Sequence, residues 1–184
     1  MKKRVLILHG WGGSLHLHWQ AQLAQSLVKE NYEVSFPTLP NMDFPKLNEW
    51  KEFIKKEVEE YKPHIVVCHS LGNIIWLHLL DELNIKLDKL MLVAPVRLNC
   101  DIEELKTFFP YPIPKNLKSQ KAIMFCSNND PYLNVNEAEN LSQQLHIEMI
   151  MFQNAGHINA DSGFGEFQWA LDWINEEKLK EPNL

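Results

Sequence analysis

Ser70 has the surroundings that most strongly suggest chemistry. It lies in Cys68-His69-Ser70-Leu71-Gly72, between the aliphatic run Ile65-Val66-Val67 and the apolar segment Asn73-Ile74-Ile75-Trp76-Leu77-His78-Leu79-Leu80. A strand, a serine on a tight turn and a buried helix, in that order, lift a hydroxyl above the carboxyl edge of a sheet. The helix N-terminus and the Leu71 N–H then lie beside it, where both can stabilise a developing oxyanion. The segment is a G-x-S-x-G pattern with Cys68, still a small residue, in the first position. The plainer reading is a serine that merely caps a helix after a buried strand.

Serine is a weak nucleophile unless a base takes its proton, so a histidine and an orienting carboxylate are expected downstream. Asp130 stands in Ser127-Asn128-Asn129-Asp130-Pro131-Tyr132, just after Ala122-Ile123-Met124-Phe125. His157 stands in Asn154-Ala155-Gly156-His157-Ile158-Asn159, also just after an apolar run. Upstream, His9-Gly10-Trp11-Gly12-Gly13-Ser14 gathers three of the chain's 7 glycines. Such a loop lets backbone amides approach a substrate closely, and Trp11 is the candidate for a second oxyanion donor beside Leu71. The loop lacks the Lys-Ser/Thr ending of a phosphate-binding P-loop.

Taken singly, these features have ordinary explanations. Asn-Asn-Asp-Pro makes a common turn, and a lone loop histidine is more often inert than catalytic. Four elements in the order loop, Ser, Asp, His, each following an apolar run, carry the argument together. Asp161 follows His157 and would break that order, so it ranks behind Asp130 as the orienting carboxylate. His16 and His18 make a weak metal pair without further ligands nearby. His18-Trp19 is expected to pack at the first helix, His9 and His69 to support the site, and His64, His78 and His146 to be structural. Trp11, Phe108, Phe109, Tyr132 and Phe164 are the aromatics expected to line a substrate pocket.

The elements that must hold these residues alternate. Short aliphatic runs predict six strands, over 4–8, 33–36, 64–68, 89–93, 121–125 and 147–152. Such alternation with helical segments predicts a mainly parallel sheet covered on both faces, an α/β fold. Leu47, Trp50, Phe53, Ile54, Val58 and Tyr61 recur every three or four residues and mark the buried face of one helix. Asn136 with Glu139 reads as a capping box that starts another helix after Asn136. A further helix should hold Phe167, Ala170, Leu171 and Ile174. Alternating prolines at 110, 112 and 114 prevent a regular helix and leave the neighbouring aromatics on an extended loop. Nothing there is long enough for a lid domain, so the site should be open.

At 184 residues with 45% hydrophobic content, the chain suits one domain, 1–184, with a substantial core. A formal charge of −6 argues against nucleic acid as a partner. The basic start Lys2-Lys3-Arg4 is followed by only four apolar residues, too few for a signal-peptide core or a membrane span. A cytoplasmic location is expected, with Cys68, Cys100 and Cys126 as reduced thiols. No metal or cofactor is implied.

With these residues in view, the chain resembles the small serine hydrolases that include retinoblastoma-binding protein 9 and the bacterial YdeN-like proteins. The likeness rests on His9-Gly10, Gly13-Ser14, His18-Trp19, the turn at Ser70, Asp130-Pro131-Tyr132 and Gly156-His157-Ile158-Asn159, and spans nearly the whole chain. It implies a compact, lidless α/β-hydrolase fold and carries a catalytic triad onto Ser70, Asp130 and His157. In the mammalian member an L-x-C-x-E segment is associated with retinoblastoma-protein binding. Here Leu98-Asn99-Cys100-Asp101-Ile102 ends in Ile, so that protein partner is not supported. The expected reaction is hydrolysis of small acyl esters through an acyl-enzyme. Amides, thioesters or small peptides are alternatives for the same triad, and a non-catalytic binding module is the alternative outside enzymes.

Overall fold

The computed structural model describes residues 2–14, 17–177 and 179. His16, one half of the weak metal pair, lies outside the described residues. Six parallel strands form one open sheet in the order β2-β1-β3-β4-β5-β6. They are β1 Arg4–Leu8, β2 Glu33–Ser35, β3 Ile65–His69, β4 Leu87–Val93, β5 Ser119–Ser127 and β6 Glu148–Phe152. β4 and β5 begin two residues earlier than the apolar runs suggest, because Leu87 pairs with Ser119 at their shared end.

Strand alternation divides the core into two layers. Leu6, Leu8, Val66, Cys68, Leu90, Leu92, Met124 and Cys126 point to one face. There they meet α2 (Leu47–Tyr61), α3 (Leu71–Leu79) and α4 (Val135–Leu145). Val5, Ile7, Ile65, Val67, Met91, Val93, Ile123 and Phe125 point to the other, against α1 (Trp19–Lys29) and α5 (Gln168–Ile174). β1 and β3 to β5 are buried on both sides, which is why they read as unbroken apolar runs. On α2, Trp50, Ile54 and Val58 are buried, with Leu47, Phe53 and Tyr61 packed at the margin.

The α4 start differs from the expected one. Asn134, not Asn136, is the cap: its side chain accepts the Glu137 N–H at 3.0 Å, and Glu137 accepts the Asn134 N–H at 3.0 Å. Two Asn-x-x-Glu frames overlap here, and hydrophobic contact selects the earlier one. Starting at Asn134 puts buried Leu133 just before the cap and buried Ala138 in the first turn, the positions of a hydrophobic staple.

Strand order reverses between β1 and β3, since the chain goes from β1 outward to β2 and then returns to the other side. Loops after β1 and β3 therefore diverge and leave a crevice at the carboxyl edge, where open α/β sheets bind ligands. Among the described residues no helix is long and apolar enough to cross a membrane.

Candidate active site

Ser70 occupies the turn between β3 and α3 with φ 53° and ψ −123°. A non-glycine residue reaches this backbone conformation only under constraint, and the constraint is visible. The Ser70 N–H donates to Val93 O at 3.0 Å. The Asn73 side-chain amide donates to Ser70 O at 3.0 Å and to Val93 O at 2.8 Å, tying the turn to the end of β4. Close approach does the rest. A Cβ on Gly72 would lie 2.7 Å from Leu8 O, and one on Gly10 would lie 2.7 Å from the Ser70 Cβ. Glycine at both positions lets the loop after β1 touch the serine turn. The Cys68 side chain lies in the core below and takes no part in the contact.

His157 stands between Ser70 and Asp130. Its Nδ1 is 2.8 Å and 3.0 Å from the two Asp130 carboxylate oxygens, and its Nε2 is 2.8 Å from Ser70 Oγ. An ionised carboxylate only accepts, so Nδ1 carries the ring proton and Nε2 presents its lone pair to the Ser70 hydroxyl. Asp130 Oδ1 also accepts the Tyr132 N–H at 2.8 Å. Asp161, the lower-ranked carboxylate, lies on an exposed turn and makes no hydrogen bond to His157.

The two loops carrying Asp130 and His157 are joined by three parallel hydrogen bonds. Ser127 Oγ accepts the Ala155 N–H at 3.0 Å, Asn128 Oδ1 the Asn154 N–H at 2.8 Å, and Asn129 Oδ1 the Gly156 N–H at 2.8 Å. The His157 backbone is then held on three sides. Ser162 Oγ accepts its N–H at 3.0 Å, His69 Nε2 donates to its carbonyl at 3.0 Å, and Trp19 Nε1 donates to the next carbonyl, Ile158 O, at 2.8 Å. Sequence reading treats Asn128 and Asn129 as turn formers; their ligand is a loop 25 or more residues away, which no local pattern announces.

His9 sets the loop after β1. Its Nε2 accepts the Leu39 N–H at 2.9 Å, so its proton is on Nδ1, which donates to Gly10 O at 2.7 Å. Burial lowers the His9 pKa and keeps the ring neutral. A trans peptide directs its C=O and N–H oppositely, so pinning Gly10 O turns the Trp11 N–H away from His9. Neither the Trp11 nor the Leu71 N–H has an acceptor among the described residues. Indole Nε1 of Trp11 donates to Asp43 O at 2.8 Å and holds the ring over the crevice.

Two cavities meet at Ser70. The first, of ≈ 200 Å³, is lined by Leu71, Val96, Ile102, Leu105, Phe109 and Tyr132, with Arg97 and Cys100 at its edge. The second, of ≈ 260 Å³, is lined by Gly10, Gly12, Gly13, His18, His69 and Ala160. Trp11, Ser70, His157, Asn159 and Asp161 border both. Thus Trp11, Phe109 and Tyr132 line the crevice, whereas Phe108 and Phe164 do not. Phe108 ends a 3₁₀ turn, Glu103–Phe108, and its buried ring packs edge-on against Trp50 at 5.3 Å. Phe164 packs against Phe167 at 5.3 Å in the layer under α5. In both cases an aromatic beside a loop serves the core instead. Val96, Ile102 and Leu105 escape sequence reading because the β4–β5 connection has no period to place them. Among the described residues no three His, Cys, Asp or Glu side chains are grouped to hold a metal.

Burial also shapes the neighbouring histidines. It pushes the His18 pKa down to about 4, helped by the nearby His157, and the His69 pKa well below the usual range. Both rings are neutral near pH 7.

An open parallel sheet with a serine on the turn after its central strand is the α/β-hydrolase architecture. The chain belongs to the serine hydrolase family, whose model matches residues 5–176. Solved structures agree on the fold. The ydeN gene product of B. subtilis superposes with TM-score 0.81 at 22% identity, covering 95% of this chain and 98% of that one. A YdeN-like hydrolase from Pectobacterium atrosepticum gives 0.76 at 23% identity, covering 95% and 90%. An α/β-hydrolase enzyme from a lagoon-sediment metagenome gives 0.72 at 18%, covering 96% and 92%. No curated protein sequence matches the chain.

Proposed function

We propose that this serine hydrolase cleaves carboxylic esters with short apolar acyl groups, using Ser70 as nucleophile, His157 as base and Asp130 to orient and charge-stabilise His157. The observation that carries the reading is the hydrogen-bonded row itself, with the tautomer set so that Nε2 faces the Ser70 hydroxyl. Ser70 Oγ attacks the ester carbonyl carbon as its proton passes to His157 Nε2. The carbonyl oxygen becomes an oxyanion between the Trp11 and Leu71 N–H groups, each worth a factor of about 10² to 10³ in rate when well aimed. Collapse breaks the bond to the alcohol oxygen, which takes the proton from His157. Water then gives a proton to His157 as its oxygen bonds to the acyl carbon; the bond to Ser70 Oγ breaks, Oγ takes the proton back from His157, and the acid leaves. Nucleophile, base and oxyanion donors all come from the chain.

The test is fluorophosphonate labelling of wild type and Ser70→Ala, with site mapping and turnover of p-nitrophenyl acetate, butyrate and octanoate. Labelling at Ser70, with turnover lost in the variant, is the expected result. Labelling elsewhere, or none with folded protein, overturns the assignment. Matched butyryl thioester and amide substrates decide between ester, thioester and amide cleavage.

A further inference from the structure

The two cavities share a rim, and what divides a substrate between them is the set of side chains that each has to itself. An ester bound across Ser70 must send its acyl chain and its alcohol into different spaces, because the carbonyl carbon sits at their junction. The first cavity offers aliphatic and aromatic side chains, suited to the acyl chain. Apart from Trp11, which borders both, the second has glycines, Ala160 and the rings of His18 and His69, and no large aliphatic side chain. Its polar groups have assignable roles. His18 Nδ1 accepts the Gln20 N–H at 3.3 Å, which leaves the proton of the neutral ring on Nε2 as a donor. His69 Nε2 donates to His157 O, which leaves Nδ1 as an acceptor without a partner among the described residues, on a residue only 4% exposed. The two rings meet at 4.9 Å between centroids, and no hydrogen bond joins them.

Asn159 adds a donor, because its Oδ1 is taken by Ser162 N and Oγ at 2.9 Å and 2.7 Å while its side-chain amide protons have no acceptor among the described residues. Asp161 adds a carboxylate acceptor. His18 and His69 line the second cavity alone, and Asn159 and Asp161 stand at its boundary with the first, so donors and acceptors meet around it in near balance. A hydroxyl group both donates and accepts, so an alcohol bearing further hydroxyls can satisfy these groups. An alkyl alcohol strips them of water and returns nothing. A quaternary ammonium can satisfy neither donor. We infer that the cavity bounded by His18, His69, Asn159 and Asp161 is a leaving-group subsite for a small neutral polyol, which makes the substrates short-chain monoacyl esters of glycerol-like alcohols. The inference rests on the serine hydrolase reading and deepens it.

Glycerol monobutyrate, n-propyl butyrate and butyrylcholine test it, since all three form the same butyryl-Ser70 enzyme and share its hydrolysis. Differences in kcat/KM, normalised to alkaline hydrolysis rates, then report leaving-group recognition alone. The glycerol ester should exceed the propyl ester by about tenfold or more, the scale of one hydrogen bond gained. His18→Asn keeps the helix cap and withdraws the ring donor; Asp161→Leu removes an exposed acceptor with little risk to folding. In each, the glycerol-to-propyl ratio should fall several-fold toward one. Equal normalised values in wild type, a preference for butyrylcholine, or an unchanged ratio in both variants overturns the subsite. Fluorophosphonate labelling runs in parallel. Labelled Ser70 with butyrate turnover but no glycerol preference removes only this inference, whereas unlabelled, folded protein removes the hydrolase reading with it.

Discussion

Replacing Asp130 with Asn is the sharpest perturbation of the site, because its outcome follows from one hydrogen bond outside the Ser70–His157 pair. Asp130 Oδ1 accepts the Tyr132 N–H at 2.8 Å, while Oδ2 makes the shorter contact to His157 Nδ1, also at 2.8 Å. In Asp130→Asn the amide oxygen must stay on the Tyr132 N–H, since an NH₂ there would set donor against donor. The NH₂ group then replaces Oδ2 and donates to His157 Nδ1. That reverses the tautomer: Nδ1 becomes the acceptor, the ring proton moves to Nε2, and Nε2 donates to Ser70 Oγ instead of accepting its proton. In a Ser-His-Asp enzyme this exchange costs about 10⁴ in kcat, equivalent to about 5 kcal/mol of transition-state stabilisation. Turnover of p-nitrophenyl butyrate by purified variant, with circular dichroism as a check on folding, measures it. A folded variant within tenfold of wild type would refute the tautomer argument and with it the role given to Asp130.

Two further outcomes follow from the histidines around the site. His9→Phe keeps a ring but leaves Gly10 O with only the longer bond from the Gly13 N–H, at 3.3 Å, and strands the buried Leu39 N–H; kcat should fall by about 10² as the proposed oxyanion donor Trp11 N–H loses its aim, with about 1–3 kcal/mol lost in urea unfolding, and an unchanged kcat would remove His9 from that role. His18, with its pKa held near 4 by burial and by His157, stays neutral in the native state while the unfolded chain binds a proton below about 6.5. Stability should therefore fall as pH drops from 6.5 to 4, by about 3 kcal/mol from this residue alone. The urea-unfolding difference between wild type and His18→Asn should shrink by that amount over the window, and a constant difference would contradict the burial effect.

Local pattern and tertiary contact divide this protein between them. The alternation of apolar runs with amphipathic segments determines six parallel strands and their helices, because each element must bury its own face and advertises that face in its period. Ser70, Asp130 and His157 are legible for the same reason: each comes just after an apolar run, and parallel strands bring all such ends to one edge. The Asn134 cap shows the limit at short range, where two equivalent frames overlap in sequence and only the contact of Leu133 and Ala138 with the core separates them.

At long range the limit is wider. Phe108 and Phe109 are adjacent aromatics on the same connection, yet one fills the space beside Trp50 and the other lines the crevice, a choice made by the surrounding volume. Asn128 and Asn129 find their partners on the loop of His157, and the protons of His9, His18 and His69 are assigned by backbone groups that only folding brings near. Those contacts have no period and no motif, so hydrogen-bond direction and cavity chemistry are properties of the tertiary structure alone.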